Sequence, residues 1–232
     1  MSVRVVRGRA GSIEADRRVT AALVDRAGED GREAVRAWQP HRQVAFGRRD
    51  ATLDGYDRAR RAARERGYPP VLRETGGRAV AYTGTTVAFV AVEAGGREGI
   101  GDRYDRTTAA VRRALRTVGV DAAEGEPPES FCPGTHSLQA DGKVVGLAQR
   151  VRQDAAVTGG ICVVREHRAI AAVLDPVYGA LGVDFDPDSV GSVARAGGDG
   201  DPEAVIRAIT EELVGDRDRD SVEAGDVDVE TD

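Results

Sequence analysis

Apolar residues at Ile13, Val19, Ala22, Leu23 and Val24 follow Ser12 at helical spacing, and Gly28 comes after them. The stretch 12–26 therefore predicts an amphipathic helix capped by the serine hydroxyl. A second helix is predicted over 53–66, closed by Gly67 with Pro69-Pro70 beyond it, and a third over 102–118, stopped by Gly119. Short apolar runs between turn residues predict strands at 34–38, 44–47, 71–73, 79–82, 85–92, 137–140, 144–151 and 161–164. Residues 122–133, rich in Gly, Pro and Glu, read as a loop. The remainder reads as short helices over 166–173 and 202–213, with a turn at Asp175-Pro176. Strands and helices alternate without a regular βαβ repeat, so the expected fold class is α+β, a mixed sheet flanked by helices.

At 232 residues the chain is long enough for one sizeable core. Its longest apolar run, Val87 to Val92, is far short of the roughly 20 residues a bilayer span needs. The N-terminus carries no apolar stretch of signal-peptide length, so a soluble cytoplasmic protein without a membrane partner is expected. The net charge of −6 equals that of the segment from Gly215 onward, where eight acids face two arginines. This divides the chain into a neutral domain over 1–214 and an acidic tail over 215–232, expected to be disordered from about residue 216. A neutral domain lacks the basic footprint of a nucleic-acid binder, and 4% aromatics argue against a base-stacking platform. Cys132 and Cys162 form no CxxC, and the three histidines show no zinc spacing, so neither a protein-held metal nor a disulfide is expected.

Of 33 basic residues, 32 are arginine and the single lysine is Lys143. A lysine retained in so arginine-rich a chain suggests a site that needs a compact ammonium rather than a planar guanidinium. It follows an Asp141-Gly142 turn signal and opens a strand, and a rigid element suits a catalytic point charge. Between two predicted strands lies Arg73-Glu74-Thr75-Gly76-Gly77-Arg78-Ala79. Its glycine pair fits close backbone approach to a ligand, its N–H groups fit an anion-binding concavity, and its arginines fit phosphate or carboxylate; a plain hairpin fits the pair as well. It is neither a P-loop nor a Rossmann fingerprint. Cys132, in Phe131-Cys132-Pro133-Gly134, is either a nucleophile in a cationic loop or a buried inert thiol.

Two of these segments carry a resemblance. Arg73-x-x-Gly76-Gly77-Arg78-Ala79-Val80-x-Tyr82 resembles the signature loop of the biotin/lipoate protein ligase family, lipoate–protein ligase A type. Gly142-Lys143-Val144-Val145-Gly146-Leu147-Ala148-Gln149-Arg150 resembles the same family's lysine strand, and Ala37-Trp38-Gln39-Pro40 and Phe46-Gly47-Arg48-Arg49 resemble its early strand pair. The similarity runs from about residue 4 to about residue 213. It implies the catalytic-domain fold related to class II aminoacyl-tRNA synthetases.

The resemblance implies an enzyme that activates lipoate or octanoate with ATP and Mg2+ as an acyl-adenylate. The acyl group would then pass to a lysine of an acceptor domain, in the acyltransferase subunit of a 2-oxoacid dehydrogenase or the carrier protein of glycine cleavage. In that reading Lys143 is the catalytic cation, and Arg73, Gly76, Gly77, Arg78, Ala79 and Lys143 bind ATP and the acyl-adenylate. Tyr82, Gly146 and Ala148 would line the substrate pocket, with apolar residues of 87–92 and 144–148 supplying one wall. Magnesium would come with ATP, its ligands unassigned. A separately encoded accessory domain is a possible further partner. The alternative within the family is an ATP-independent octanoyl or lipoyl transferase using Cys132 as thioester nucleophile. Tyr82 in place of the usual histidine, together with Glu74, also motivates a non-catalytic lipoyl-binding paralogue. Biotin as substrate is a weaker option.

Overall fold

The computed structural model describes residues 2–73, 76–96 and 99–229. The main sheet contains β1 (Val3–Arg7), β2 (Ala34–Trp38), β6 (Thr86–Ala94), β7 (Ala123–Glu124), β8 (Ser137–Gln139), β9 (Lys143–Val151), β10 (Ala155–Val163) and β11 (Arg219–Glu223). Its spatial order is β11-β1-β2-β6-β10-β9-β8-β7. β1 runs parallel to both β2 and β11, and the other pairs are antiparallel. A smaller sheet joins β3 (Gln43–Phe46), β4 (Pro70–Leu72) and β5 (Val80–Tyr82) in the order β4-β3-β5. The helices are α1 (Ile13–Asp30), α2 (Tyr56–Glu65), α3 (Ile100–Thr117), α4 (His167–Leu181) and α5 (Pro202–Val214). This is the expected mixed sheet flanked by helices.

The parallel pair β1–β2 needs a crossover, and α1 supplies it. Ser12 caps α1 as expected, accepting a hydrogen bond from Ala15 N at 3.1 Å. The helix continues past Gly28 to Asp30 and is capped by Gly31 in the left-handed region; Gly28 is needed within it because a side chain there would collide with the Asp154 carboxylate.

Alternation along β6 divides the core. Val87 and Phe89 pack with Val111, Leu115 and Ile209 of α3 and α5, whereas Val92 packs with Val19, Leu23 and Ala27 of α1. A further core joins Val44 and Phe46 of the small sheet to Ile161, Ile170, Leu174 and Tyr178. The two faces of the main sheet thus meet different layers, as period-2 alternation requires.

Three local expectations change. β1 was not anticipated, since Val3-Arg4-Val5-Val6-Arg7 is short and broken by arginines. β10 begins at Ala155 rather than 161 and runs straight through Gly159-Gly160. Those glycines are close-approach residues: a Cβ on Gly160 would lie 2.3 Å from the Gly146 carbonyl oxygen. No turn forms at Asp175-Pro176, because α4 continues through Pro176. Its buried stripe of Ile170, Val173, Leu174, Val177, Tyr178 and Leu181 outweighs one lost backbone hydrogen bond.

Disorder from residue 216 is also corrected. Residues 219–223 pair in register with Val3–Arg7, and Ala224 and Val227 behind them are buried against the α1 core. The charges stand on an exposed edge strand while Val222, Ala224 and Val227 anchor it, a pattern that net charge alone conceals. The last three residues lie outside the described set.

Candidate active site

The Asp141-Gly142 hairpin forms as its sequence demands, with both residues at positive φ (53° and 104°). It delivers Lys143 to the first position of β9, where the side chain is 1% exposed. Its Nζ donates to Glu126 Oε1 at 2.8 Å and Oε2 at 3.1 Å, and to the carbonyl oxygens of Phe131 and Cys132, each at 2.9 Å. The lone lysine therefore points inward, beneath the cysteine loop.

Cys132 is half-buried with φ at 43°, a backbone conformation uncommon for a non-glycine residue. Its N–H donates to the Tyr178 hydroxyl at 2.7 Å, which in turn donates to the carbonyl of Ala79 at 3.0 Å. Burial pushes the Tyr178 hydroxyl well above the ordinary tyrosine pKa, so it stays protonated and keeps both roles. The Cys132 sulfur accepts from Arg73 Nη2 at 3.1 Å and from the backbone N–H of Arg78 at 3.3 Å. Two donors, one of them charged, are thus aimed at one sulfur.

The glycine bend lies directly against that sulfur. A Cβ on Gly77, whose φ is 92°, would stand 2.7 Å from Sγ and 2.8 Å from Arg73 Nη2, whereas one on Gly76 would stand in open space. The bend is seated from below as well, since a Cβ on Gly47 would collide with the Gly77 carbonyl oxygen at 1.9 Å. Arg73 Nη2 also donates to the Arg78 carbonyl at 2.7 Å. Burial works against the Arg73 charge, but Cys132, with Tyr82 and Tyr178, outweighs it and holds the guanidinium above its ordinary value. Arg78 pairs at 3.3 Å with Asp50, which is fully buried and also accepts from Gly47 N. Burial raises the Asp50 carboxyl, against the opposing pull of Gly47 N–H and Arg78.

The structure thus brings Arg73, Gly77, Arg78, Ala79, Cys132 and Lys143 into one cluster. Gly76 adjoins it, and Glu74 lies outside the described residues. Tyr82 sits half-buried on the small sheet, its hydroxyl raised by burial with Arg73 opposing. Gly146 and Ala148 occupy one face of β9: Gly146 is opposite Ile161, and Ala148 is opposite Gly159, which faces Val90 on its other side. Residues directly opposite share a face. Small residues therefore pave a strip of sheet that starts beside Lys143, whose Cε would be 3.2 Å from a Cβ on Gly146. Val90 belongs to this strip, whereas Val87 and Phe89 point into the α3–α5 core.

Sequence reasoning missed Glu126, Tyr178 and Asp50. Glu126 belonged to a run read only as loop, and no local signal marks it. Cys162 is fully buried in the α3–α5 core, and burial pushes its thiol up to about 12. A cavity of about 800 Å3 lies elsewhere, between β1, β2, α5 and β11. No group of three or more His, Cys, Asp or Glu among the described residues converges as a metal site.

A catalytic domain of the lipoyl protein ligase A/B type is what this fold and this loop pair define, and its family profile matches residues 15–214. The chain belongs to that family. It is 35% identical over 153 residues to an octanoyl-[GcvH]:protein N-octanoyltransferase of Exiguobacterium sibiricum, covering 63% of this chain and 55% of the relative. A namesake from Geobacillus kaustophilus is 30% identical over 148 residues, covering 62% of this chain and 52% of the relative. The chain spans about half the length of these curated relatives. Among solved structures, a lipoate-protein ligase A bound with ATP superposes with a TM-score of 0.72 at 21% identity, covering 96% of this chain and 90% of the other. A putative lipoate protein ligase from T. acidophilum with bound lipoic acid gives 0.65 at 21% identity, covering 96% and 90%. These structures share the fold. No helix among the described residues is long and apolar enough to cross a membrane.

Proposed function

We propose that this chain is an octanoyl or lipoyl transferase that carries the acyl group on Cys132 as a thioester between two protein lysines. The observation that carries the reading is the sulfur of Cys132 resting on the Gly76-Gly77 bend with Arg73 Nη2 and Arg78 N–H directed at it. The order of preference drawn from sequence is thereby reversed, with the transferase ahead of the ATP-dependent ligase. The names of the curated relatives support the same order.

The chemistry balances without a nucleotide. The Cys132 sulfur attacks the amide carbon of an acylated lysine on a donor protein. An S–C bond forms, the C–N bond breaks, and the thiol proton leaves on the departing amine. The acceptor lysine amine then attacks the thioester, an amide forms, and the thiol is restored. Each tetrahedral intermediate builds negative charge on the former carbonyl oxygen, which fixed N–H donors of the glycine bend would stabilise without reorganising. The strip of Val90, Gly159, Ala148 and Gly146 would bed the acyl chain. The donor suggested by the relatives' names is the glycine-cleavage carrier, and 2-oxoacid dehydrogenase acceptor domains fit the second role.

A triphosphate fits the residues poorly as they stand. Arg73 is taken up by Cys132 and the Arg78 carbonyl, Arg78 pairs with Asp50, and Lys143 is paired with a carboxylate. No step is therefore routed through ATP. Neither biotin nor an accessory protein is needed for this reading.

The test is to mix the purified chain with an octanoylated carrier, without ATP, and follow the intact mass. An octanoyl adduct on the wild type that is absent from Cys132→Ser, together with transfer to a second carrier, is the expected result. Pyrophosphate release from ATP and octanoate, undiminished in Cys132→Ser, would restore the ligase. No adduct and no release would leave the non-catalytic paralogue.

A further inference from the structure

The transfer just described requires the Cys132 sulfur in one place, yet its backbone sits at φ 43° in a loop, so something must impose that geometry. Lys143 does part of this through the carbonyls of Phe131 and Cys132. Lys143 is itself fixed by Glu126, which accepts from Nζ through both oxygens. The same carboxylate accepts from the Ser130 and Ser137 hydroxyls and from Gly134 N–H at 3.2 Å. One side chain thus ties the residues before the cysteine, those after it, and the cation beneath it.

The count of donors sharpens this. An ammonium has three N–H bonds, and Lys143 Nζ already faces four acceptor atoms. In this state it has no hydrogen left for a substrate carbonyl and acts on the loop backbone. We infer that Glu126 is a positioning residue which, with Lys143, forms a clasp that presents the Cys132 thiol to the acyl group. The inference rests on Cys132 as the acyl-carrying residue.

A buried pair that merely stabilised the fold would move the melting temperature and nothing else, so the experiment reads the thiol as well. Glu126→Gln, Glu126→Asp and Ser137→Ala are compared with the wild type by alkylation of Cys132 with iodoacetamide across the neutral pH range, by kcat and KM for octanoyl transfer, and by thermal melting. Displacing a reacting group by about 1 Å costs on the order of a hundredfold in rate. Glu126→Gln is expected to lose kcat on that scale with KM held within about twofold, and to change the pH profile of alkylation. Glu126→Asp keeps the charge but falls one methylene short, so partial recovery is expected. Ser137→Ala removes one of the five hydrogen bonds that the carboxylate accepts and keeps the readout available if Glu126→Gln does not fold; a smaller fall in kcat with a shifted alkylation profile is expected. The inference is overturned if the variants melt lower while kcat and the alkylation profile match the wild type. If the wild type forms no acyl adduct, the transfer reading has failed, and alkylation alone still decides the clasp.

Discussion

Lys143 and Cys132 meet through the backbone: the ammonium donates to the Cys132 carbonyl oxygen at 2.9 Å, while the cysteine sulfur is held by Arg73 and Arg78. Lysine and glycine bend, separate motifs in the sequence, therefore act on a single residue lying between them. Replacing the lysine tests the arrangement from below. Lys143→Ala leaves the half-buried Glu126 carboxylate and two carbonyls without their cation. Breaking such a pair costs about 3 kcal/mol, and octanoyl transfer should fall on the order of a hundredfold. Urea denaturation and a transfer assay measure the two effects. Lys143→Arg should restore little of either, because a planar fork cannot converge on the same four acceptors.

Gly77→Ala tests it from above. The new methyl would have to share space with the Cys132 sulfur and Arg73 at a φ of 92°. Strain of this kind costs about 1–3 kcal/mol. The methyl would meet the sulfur and the Arg73 guanidinium rather than an apolar core side chain, so the protein should remain folded by circular dichroism with a modestly lower Tm. Alkylation of Cys132 and acyl transfer should both change sharply. A wild-type transfer rate in Gly77→Ala would show that the bend does not set the thiol. Gly76→Ala, with open space around its Cβ, serves as the neighbouring control.

Asp50 gives the site a pH signature. Burial raises its carboxyl above the usual value of 3.8, so the folded protein holds this proton more tightly than the unfolded chain. Its contribution to stability is then fully present below that unfolded value and is lost as pH rises through the higher folded one. Asp50→Asn cannot ionise, keeps an oxygen to accept from Gly47 N–H, and gives up the Arg78 ion pair. Its stability relative to wild type should therefore improve as pH is raised from about 4 toward neutrality. Denaturant midpoints at a series of pH values measure this. A constant difference across the series would remove Asp50 as a titrating group.

The loop motifs were readable because their chemistry is local. A lone lysine after Asp141-Gly142 and a glycine pair between arginines say what the backbone must do, and Cys132 announced itself as the alternative nucleophile. Tyr178 and Asp50 were not readable, because each acts across the fold: Tyr178 reaches Cys132 from α4, and Asp50 reaches Arg78 from the turn after β3. Glu126 was not readable because its partners at 130, 134, 137 and 143 converge on it only in the folded loop. The same difference explains the elements. Ser12 and α1 follow from local capping, whereas Gly159-Gly160 within β10 and Pro176 within α4 are tolerated only because neighbouring strands and a buried stripe override local propensity.

The C-terminal strand supplies the last prediction. Its composition is that of a solvated tail, yet β11 pairs with β1 along five residues and Ala224 and Val227 are buried behind it. If the pairing contributes to the fold, ending the chain after Gly215 exposes one side of β1 and uncovers apolar surface on the α1 core. Burying one valine side chain is worth about 1.5–3 kcal/mol, so the truncated chain should lose stability on that scale. Reversing the charges of Asp218 and Asp220 instead, with Val222, Ala224 and Val227 intact, should cost little, since these acids are exposed. Thermal melting of both variants separates the cases. Equal melting of the truncated and full chains would mean that the acidic segment contributes charge alone.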